Sequence, residues 1–220
     1  MDARNRGSRS TSDITTSWST LQGLRRQVRE RFPDCWSLPV RKKHWDVIFD
    51  EVADGQRVLD VGGDRKALDV LMARRPGLTY KSMNVDRAQT HDYYSLDDVH
   101  EKFHAIFLFE VIEHLAFEEG VSLIQKLHGL LEPGGKLLLT TPNVCHPHRF
   151  FDPTHKTAYR HDDLGALLMA SGFEVTRVFR LYNASFFPRL FRLYVGVWLH
   201  RYLSVDFAKS IMVVARRADG

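Results

Sequence analysis

Cysteine is nearly absent: Cys35 and Cys145 are the only two in 220 residues. That excludes a disulfide framework or a cysteine metal knuckle as the organising principle, and it points to a reducing, cytoplasmic setting. No secretory leader is recognised, and no apolar run approaches the ~20 residues that a spanning helix requires. No internal repeat is visible. Apolar side chains are scarce in residues 1–18, which cannot offset their ordering entropy and are expected to form a disordered basic tail. Acid is scarce at both ends. Residues 1–31 hold seven arginines against three acids, and 177–217 hold eight basic residues against Asp206 alone, so the net charge of +4 hides an acidic middle. A basic periphery suits anionic lipid, nucleic acid or a phosphorylated substrate, with solvated arginine the plainer alternative.

What remains, residues 19–217, has the length of one α/β domain. Helical spacing occurs at Leu21 to Phe32 and Val40 to Val52. Next come a strand at Arg57 to Val61, a helix at Lys66 to Arg75, strands at Thr79 to Val85 and His104 to Phe109, a helix at Glu118 to Leu131, and a strand at Lys136 to Thr141. Asp162 to Ser171 reads as a helix stopped by Gly172, and Phe173 to Leu181 with Ser210 to Ala215 supply a last strand pair. Such alternation implies a mostly parallel sheet covered on both faces.

Glu110-Val-Ile-Glu-His114 closes an apolar strand and opens a helix-like segment. Its spacing predicts that Glu110, Glu113 and His114 share one side of a helix start. Two carboxylates and an imidazole so placed can hold a divalent cation, orient a hydroxyl or act as general base; a solvated acidic first turn is the alternative.

The ordered set VLDVGG (58–63), MNVD (83–86), FLFEVIEHL (107–115), LEPGGKLLLTTPN (131–143) and ASGFEV (170–175) resembles the class I S-adenosylmethionine-dependent methyltransferases over about residues 36 to 217. The resemblance implies a Rossmann-like, doubly wound, seven-stranded sheet with an antiparallel last strand, and S-adenosylmethionine bound beyond the carboxyl ends of the strands. It also implies cofactor contacts at Asp60, Gly62, Gly63 and Phe109, with Asp86 accepting from the ribose hydroxyls and Asp92, Ser95 or Asp97 facing the adenine. Arg41 resembles an arginine that grips the cofactor carboxylate in quinone-precursor O-methyltransferases; Arg41-Lys42-Lys43 also fits a solvated charge run. The chain departs from the family loop at Asp64 and Lys66, which stand where glycines are usual, and at His104, which replaces an Asp of structural role.

Asp152-Pro-Thr-His155 resembles the segment that, in the quinone-precursor O-methyltransferases and the small-RNA 2′-O-methyltransferases, adds a histidine to a Glu-x-x-Glu-His cluster. Carried over, Glu110, Glu113, His114 and His155 would hold Mg²⁺ or a similar ion; without metal, His114 would serve as base, aided by Glu113. His146, His148 and His161 are alternative ligands.

Phe186 to Leu203 is an apolar-aromatic insertion. With Pro188 as first helical residue, Arg189, Arg192, Gly196 and His200 make a narrow polar stripe, and core or lid packing, a homodimer interface or peripheral membrane contact would each use the apolar remainder. The expected activity is O-methylation of a small or lipophilic acceptor such as a phenol, sugar or prenylated ring. The alternatives are RNA ribose 2′-O-methylation and a non-catalytic binding protein of the same fold; no aromatic-interleaved basic RNA surface is evident.

Overall fold

The computed structural model describes residues 18–63, 66–148 and 152–218. Seven strands form one sheet: β1 (Val40–Arg41), β2 (Arg57–Val61), β3 (Thr79–Met83), β4 (Phe103–Phe109), β5 (Leu131–Pro142), β6 (Phe173–Leu181) and β7 (Ser210–Arg217). Their order across the sheet is β1-β6-β7-β5-β4-β2-β3. Only β7 runs antiparallel to its neighbours, β5 and β6. The expected doubly wound sheet with an antiparallel last strand is therefore present. Its seventh member differs from expectation, because Val40 and Arg41 pair with Arg180 and Leu181 as an edge strand and the helix begins only at His44.

Helices cover both faces. On one lie α1 (Trp18–Arg31), α4 (Phe117–Leu130) and α5 (His161–Ala170); on the other lie α2 (His44–Glu51) and α3 (Lys66–Arg74). Strand β4 shows why: Ile106 and Leu108 belong to the first core, Ala105 and Phe107 to the second, the period-two alternation of a strand buried on both sides. Strand β5 starts five residues before the predicted Lys136. Leu131 already pairs with Phe103, and the intervening Glu132 to Gly135 bulge outward. Gly134 turns the bulge at φ 70°, a conformation that favours glycine.

Much of the charge read as a basic periphery is consumed internally. On α1, Arg25 pairs with Asp163 at 2.6 Å and Arg29 with Asp162 at 3.5 Å, both acids lying in the first turn of α5. The two helices pack so closely that a Cβ on Gly165 would stand 2.9 Å from Val28. Arg177 pairs with Glu51 at 2.6 Å. Arg180 is buried, with its guanidinium 3.2 Å from the fully buried Asp206 carboxylate. Asp206 Oδ2 also accepts from Asn143 Nδ2 at 3.1 Å, and Arg180 Nε donates to Leu38 O at 3.1 Å. The two cysteines, 110 positions apart in sequence, meet beside this pair. Contact with Cys145, burial and the Asp206 charge push the Cys35 thiol well above its usual range.

The disordered-tail expectation for 1–18 falls mostly outside the described residues, as do Asp64 and Arg65; Trp18 begins α1. Because removing one partner of a buried pair strands the other charge, Asp206→Ala is expected to cost about 3–5 kcal/mol of unfolding free energy in urea titration. A loss below about 1 kcal/mol would contradict the network's structural role.

Candidate active site at the carboxyl ends of β2, β4 and β5

The last residue but one of β2 is Asp60, whose buried carboxylate accepts a hydrogen bond from Tyr80 Oη at 2.6 Å. The chain then turns at Gly62, φ 81°, with its backbone exposed. A Cβ on Gly62 would lie 2.4 Å from Val111 Cγ2, and one on Gly63 would lie 2.0 Å from Asp60 Oδ2. The two glycines thus admit protein neighbours: Gly62 lets the β2 turn pack on the loop that follows β4, and Gly63 leaves room for the Asp60 carboxylate. Asn84 Nδ2 fastens the turn by donating to the carbonyls of Gly62 and Gly63 at 3.3 and 3.1 Å. Asp86 lies just beyond β3 with an exposed side chain, its Oδ1 accepting from Ala88 N–H at 2.9 Å.

The other expected cofactor residues are placed differently. Asp92 accepts from Ser82 N–H at 2.9 Å, Ser82 Oγ at 3.2 Å and Lys81 Nζ at 3.2 Å. Those bonds hold its carboxyl below the usual range against the opposing effect of burial, and they anchor the edge of β3. Ser95 Oγ caps the turn at Asp97 N, and Asp97 pairs with Lys126. Arg41 pairs with Asp50 at 3.2 Å and lies over the Phe179 ring. It sits on the outer strand, four strand spacings or about 19 Å from β4, and these protein contacts are the ones it makes among the described residues. The residue of this segment that reaches the site is His44, at the start of α2. Its ring stands 5.2 Å from that of Phe109, and burial lowers its pKa. No pattern in the sequence singles it out, because the contact depends on where α2 crosses the sheet. His104 has a structural role, its Nδ1 accepting from Arg57 N–H at 3.1 Å across the β2–β4 pair.

After β4 the predicted helix start is replaced by a strained turn. Glu110 adopts φ 53°, left-handed geometry that a side chain tolerates poorly, and its N–H donates to Thr140 O at 3.1 Å. A single tight turn, Ile112–His114, follows. Glu110 is therefore exposed while Glu113 is 1% exposed, and the predicted common side for Glu110, Glu113 and His114 is not formed. The set that does converge is Glu113, His114 and His155, with ligand atoms all within 4.8 Å of one another. Glu110 stands outside this set, its carboxyl beside that of Glu113.

Asp152 and Thr154 bring His155 to the site and orient His114. Thr154 Oγ1 donates its one proton to Asp152 Oδ1 at 2.6 Å, so at 2.9 Å from His114 Nδ1 it must act as acceptor. His114 then carries its proton on Nδ1 and presents the Nε2 lone pair. The rings of His114 and His155 meet edge to face at 4.8 Å. The Glu113 carbonyl accepts from the N–H groups of Lys156 and Thr157, which clamps the two segments together. On the carboxyl, Thr141 Oγ1 donates to Oε2 at 3.3 Å, whereas Oε1 has no hydrogen-bond partner among the described residues. Burial first, and then the Glu110 charge, push the Glu113 pKa up to about 8. His155, Pro142 and Glu110 continue into an open cavity lined also by His146, His148 and Lys209. His161 is elsewhere, bonding Phe32 O at 3.0 Å.

A family model described as a methyltransferase domain matches residues 25–178. The chain belongs to this family and is an S-adenosylmethionine-dependent methyltransferase. Similar solved structures include a SAM-dependent methyltransferase from Archaeoglobus fulgidus (TM-score 0.60, 14% identity, covering 90% of this chain and 96% of that one). A complex of the Trm112 methyltransferase activator with a methyltransferase from Haloferax volcanii aligns with TM-score 0.62 at 11% identity, over 92% of this chain and 97% of that one. A methyltransferase from Bacillus halodurans aligns with TM-score 0.57 at 16% identity, over 81% and 100%. No curated protein sequence matches the chain. The exposed Gly62 backbone and Asp86 carboxylate follow β2 and β3, next to β4, where the Phe109 ring meets that of His44 from the start of α2.

A buried acid whose pKa is raised favours the fold only while protonated. Stability is therefore full below the ordinary value of 4.5 and falls as pH rises towards about 8. In the absence of added cation, Glu113→Gln is expected to flatten that decline, making the variant more stable than the parent above pH ~8 by on the order of a few kcal/mol. Thermal unfolding across the range checks this; parallel pH profiles would show that Glu113 is not the titrating group.

Proposed function

We propose that this methyltransferase transfers the cofactor methyl to an oxygen of a small or lipophilic acceptor, such as a phenol, a sugar hydroxyl or a prenylated ring. The observation that carries this reading is the convergence of Glu113, His114 and His155, whose ligand atoms lie within 4.8 Å of one another, with Glu113 Oε1 buried and without a hydrogen-bond partner among the described residues. A hydroxyl must lose its proton to attack a methyl group, and this cluster offers two ways to remove it. A divalent cation held by one carboxylate and two imidazoles would lower the hydroxyl pKa, and it would neutralise the Glu113 carboxylate that burial otherwise disfavours. Mixed oxygen and nitrogen donors leave the identity of the ion open, with Mg²⁺ and Mn²⁺ among the candidates. In the second way, His114 Nε2 takes the proton directly, with Asp152 and Thr154 holding the imidazole in the required tautomer.

Bound S-adenosylmethionine supplies an electrophilic methyl. Gly62 and Gly63 would meet its methionine portion through the backbone, Asp86 would accept from the ribose hydroxyls, and Phe109 with His44 would bound the pocket. The acceptor would enter through the cavity of His146, His148 and His155, which opens beside the cluster.

Two experiments test the reading. Asp86→Ala should weaken cofactor binding by about 1.5–3 kcal/mol in calorimetry, the scale of a lost charge-assisted hydrogen bond; unchanged affinity in the folded variant would remove Asp86 from the site. In methyl-transfer assays chelator should abolish turnover and Mg²⁺ or Mn²⁺ restore it, while His155→Ala raises the metal concentration required and leaves cofactor affinity intact. Full activity in chelator rejects the metal; a drop of about 10²–10⁴ for His114→Ala under those conditions would support direct base catalysis.

A further inference from the structure

Residues 186–203 fold as two short helices, α6 (Phe186–Phe191) and α7 (Val197–Leu203), joined by a widened turn at Arg192–Gly196. The sequence marks a narrow polar stripe in this segment without fixing its direction. In the structure Arg192, Gly196 and His200 of that stripe are turned inward. Arg192 stacks on the rings of Trp36 and Tyr182, His200 stacks on Trp36 at 5.4 Å, and Gly196 is buried against Trp36. Phe186, Phe187, Leu193, Tyr194, Trp198, Tyr202 and their neighbours face outward, Phe187 being 78% exposed and Tyr194 73%. The apolar side of this segment is therefore exposed among the described residues.

We propose that this exposed apolar face docks on an anionic lipid bilayer, so that the acceptor is an amphiphile drawn from the membrane; the second clause rests on the O-methylation reading. Three observations favour a bilayer over other occupants. From Leu181 to Val205 there is no acidic residue, and the Arg201 side chain is exposed. A basic, aromatic face matches the interface of an anionic leaflet, where ring systems settle at headgroup depth and arginine meets phosphate. A second copy fits less well, because a two-fold contact would bring each patch against itself and leave Arg201 without an acid of the segment to pair. The location is also apt. The insertion leaves β6 at Leu181 and returns to β7 at Ser210, which pairs with Pro142, so it rises from the sheet edge where the acceptor cavity opens. No helix among the described residues is long and apolar enough to cross a membrane, so the contact is peripheral.

Flotation of the full chain with vesicles of phosphatidylcholine alone, or of phosphatidylcholine with phosphatidylglycerol, tests the proposal. Binding is expected to the anionic vesicles, at least about tenfold stronger than to neutral ones, and to weaken as salt is raised. The combined change Phe187→Ser, Trp198→Ser and Tyr202→Ser should lower it by at least about tenfold, and Arg201→Glu alone should lower binding to anionic vesicles only. S-adenosylhomocysteine titration of the same variants reads the cofactor site separately and should be unchanged, which also certifies the fold. Absence of the parent from the floating fraction overturns the proposal, as does equal flotation of the parent and the triple variant. A parent dimer that the triple variant converts to monomer, with no lipid binding by either, overturns it in favour of a second copy. None of these results bears on whether the enzyme methylates oxygen.

Discussion

The buried ion pair of Arg180 and Asp206 is the constraint on which the site side of the molecule depends. Both side chains are withdrawn from water, and each is held by further partners: Arg180 by the carbonyls of Trp36 and Leu38, Asp206 by Asn143 and Cys35. A pair in this position repays its desolvation only if its remaining donors and acceptors are met, so its value lies in specifying one arrangement. That arrangement joins β6, the lead into β7, the segment before β1, and Asn143 at the end of β5. The loop from Asn143 to His148, whose histidines line the open cavity beside the cluster, is thereby attached to the core at its origin.

Opposite that wall, the chemistry rests on a conflict left in place. Glu110 is held in left-handed backbone geometry, which allows the chain to leave β4 and bury Glu113 one tight turn later. Burial and the neighbouring carboxyl make a negative charge on Glu113 unfavourable. Two imidazoles stand beside it, one oriented through Thr154 and Asp152. Either a cation or a proton relieves this arrangement, and both are agents by which a hydroxyl is activated. Strain and a perturbed acid at one place in a fold are the usual marks of a functional site.

The central strands were legible in the sequence because their side chains are apolar on both faces, and the helices because their spacing differs from that of the strands. The two-residue edge strand β1 was not, since Val40 is exposed and carries no burial signal. Residue types drew attention to Glu113, His114 and His155, which the structure brings together, yet the backbone angle at Glu110 decided which acid joined them, and no local pattern encodes that angle. Arg180 read as surface charge because its partner lies 26 positions away. The polar stripe of the insertion was visible as a stripe, but its direction depends on Trp36, which packs against it from another part of the chain.

The cation site is the claim most directly open to measurement, by anomalous X-ray scattering from crystals grown with Mn²⁺ and S-adenosylhomocysteine. The account predicts a single strong peak bound by the Glu113 carboxylate and the imidazoles of His114 and His155. Mn²⁺ held by other groups, with this cluster empty, would contradict it.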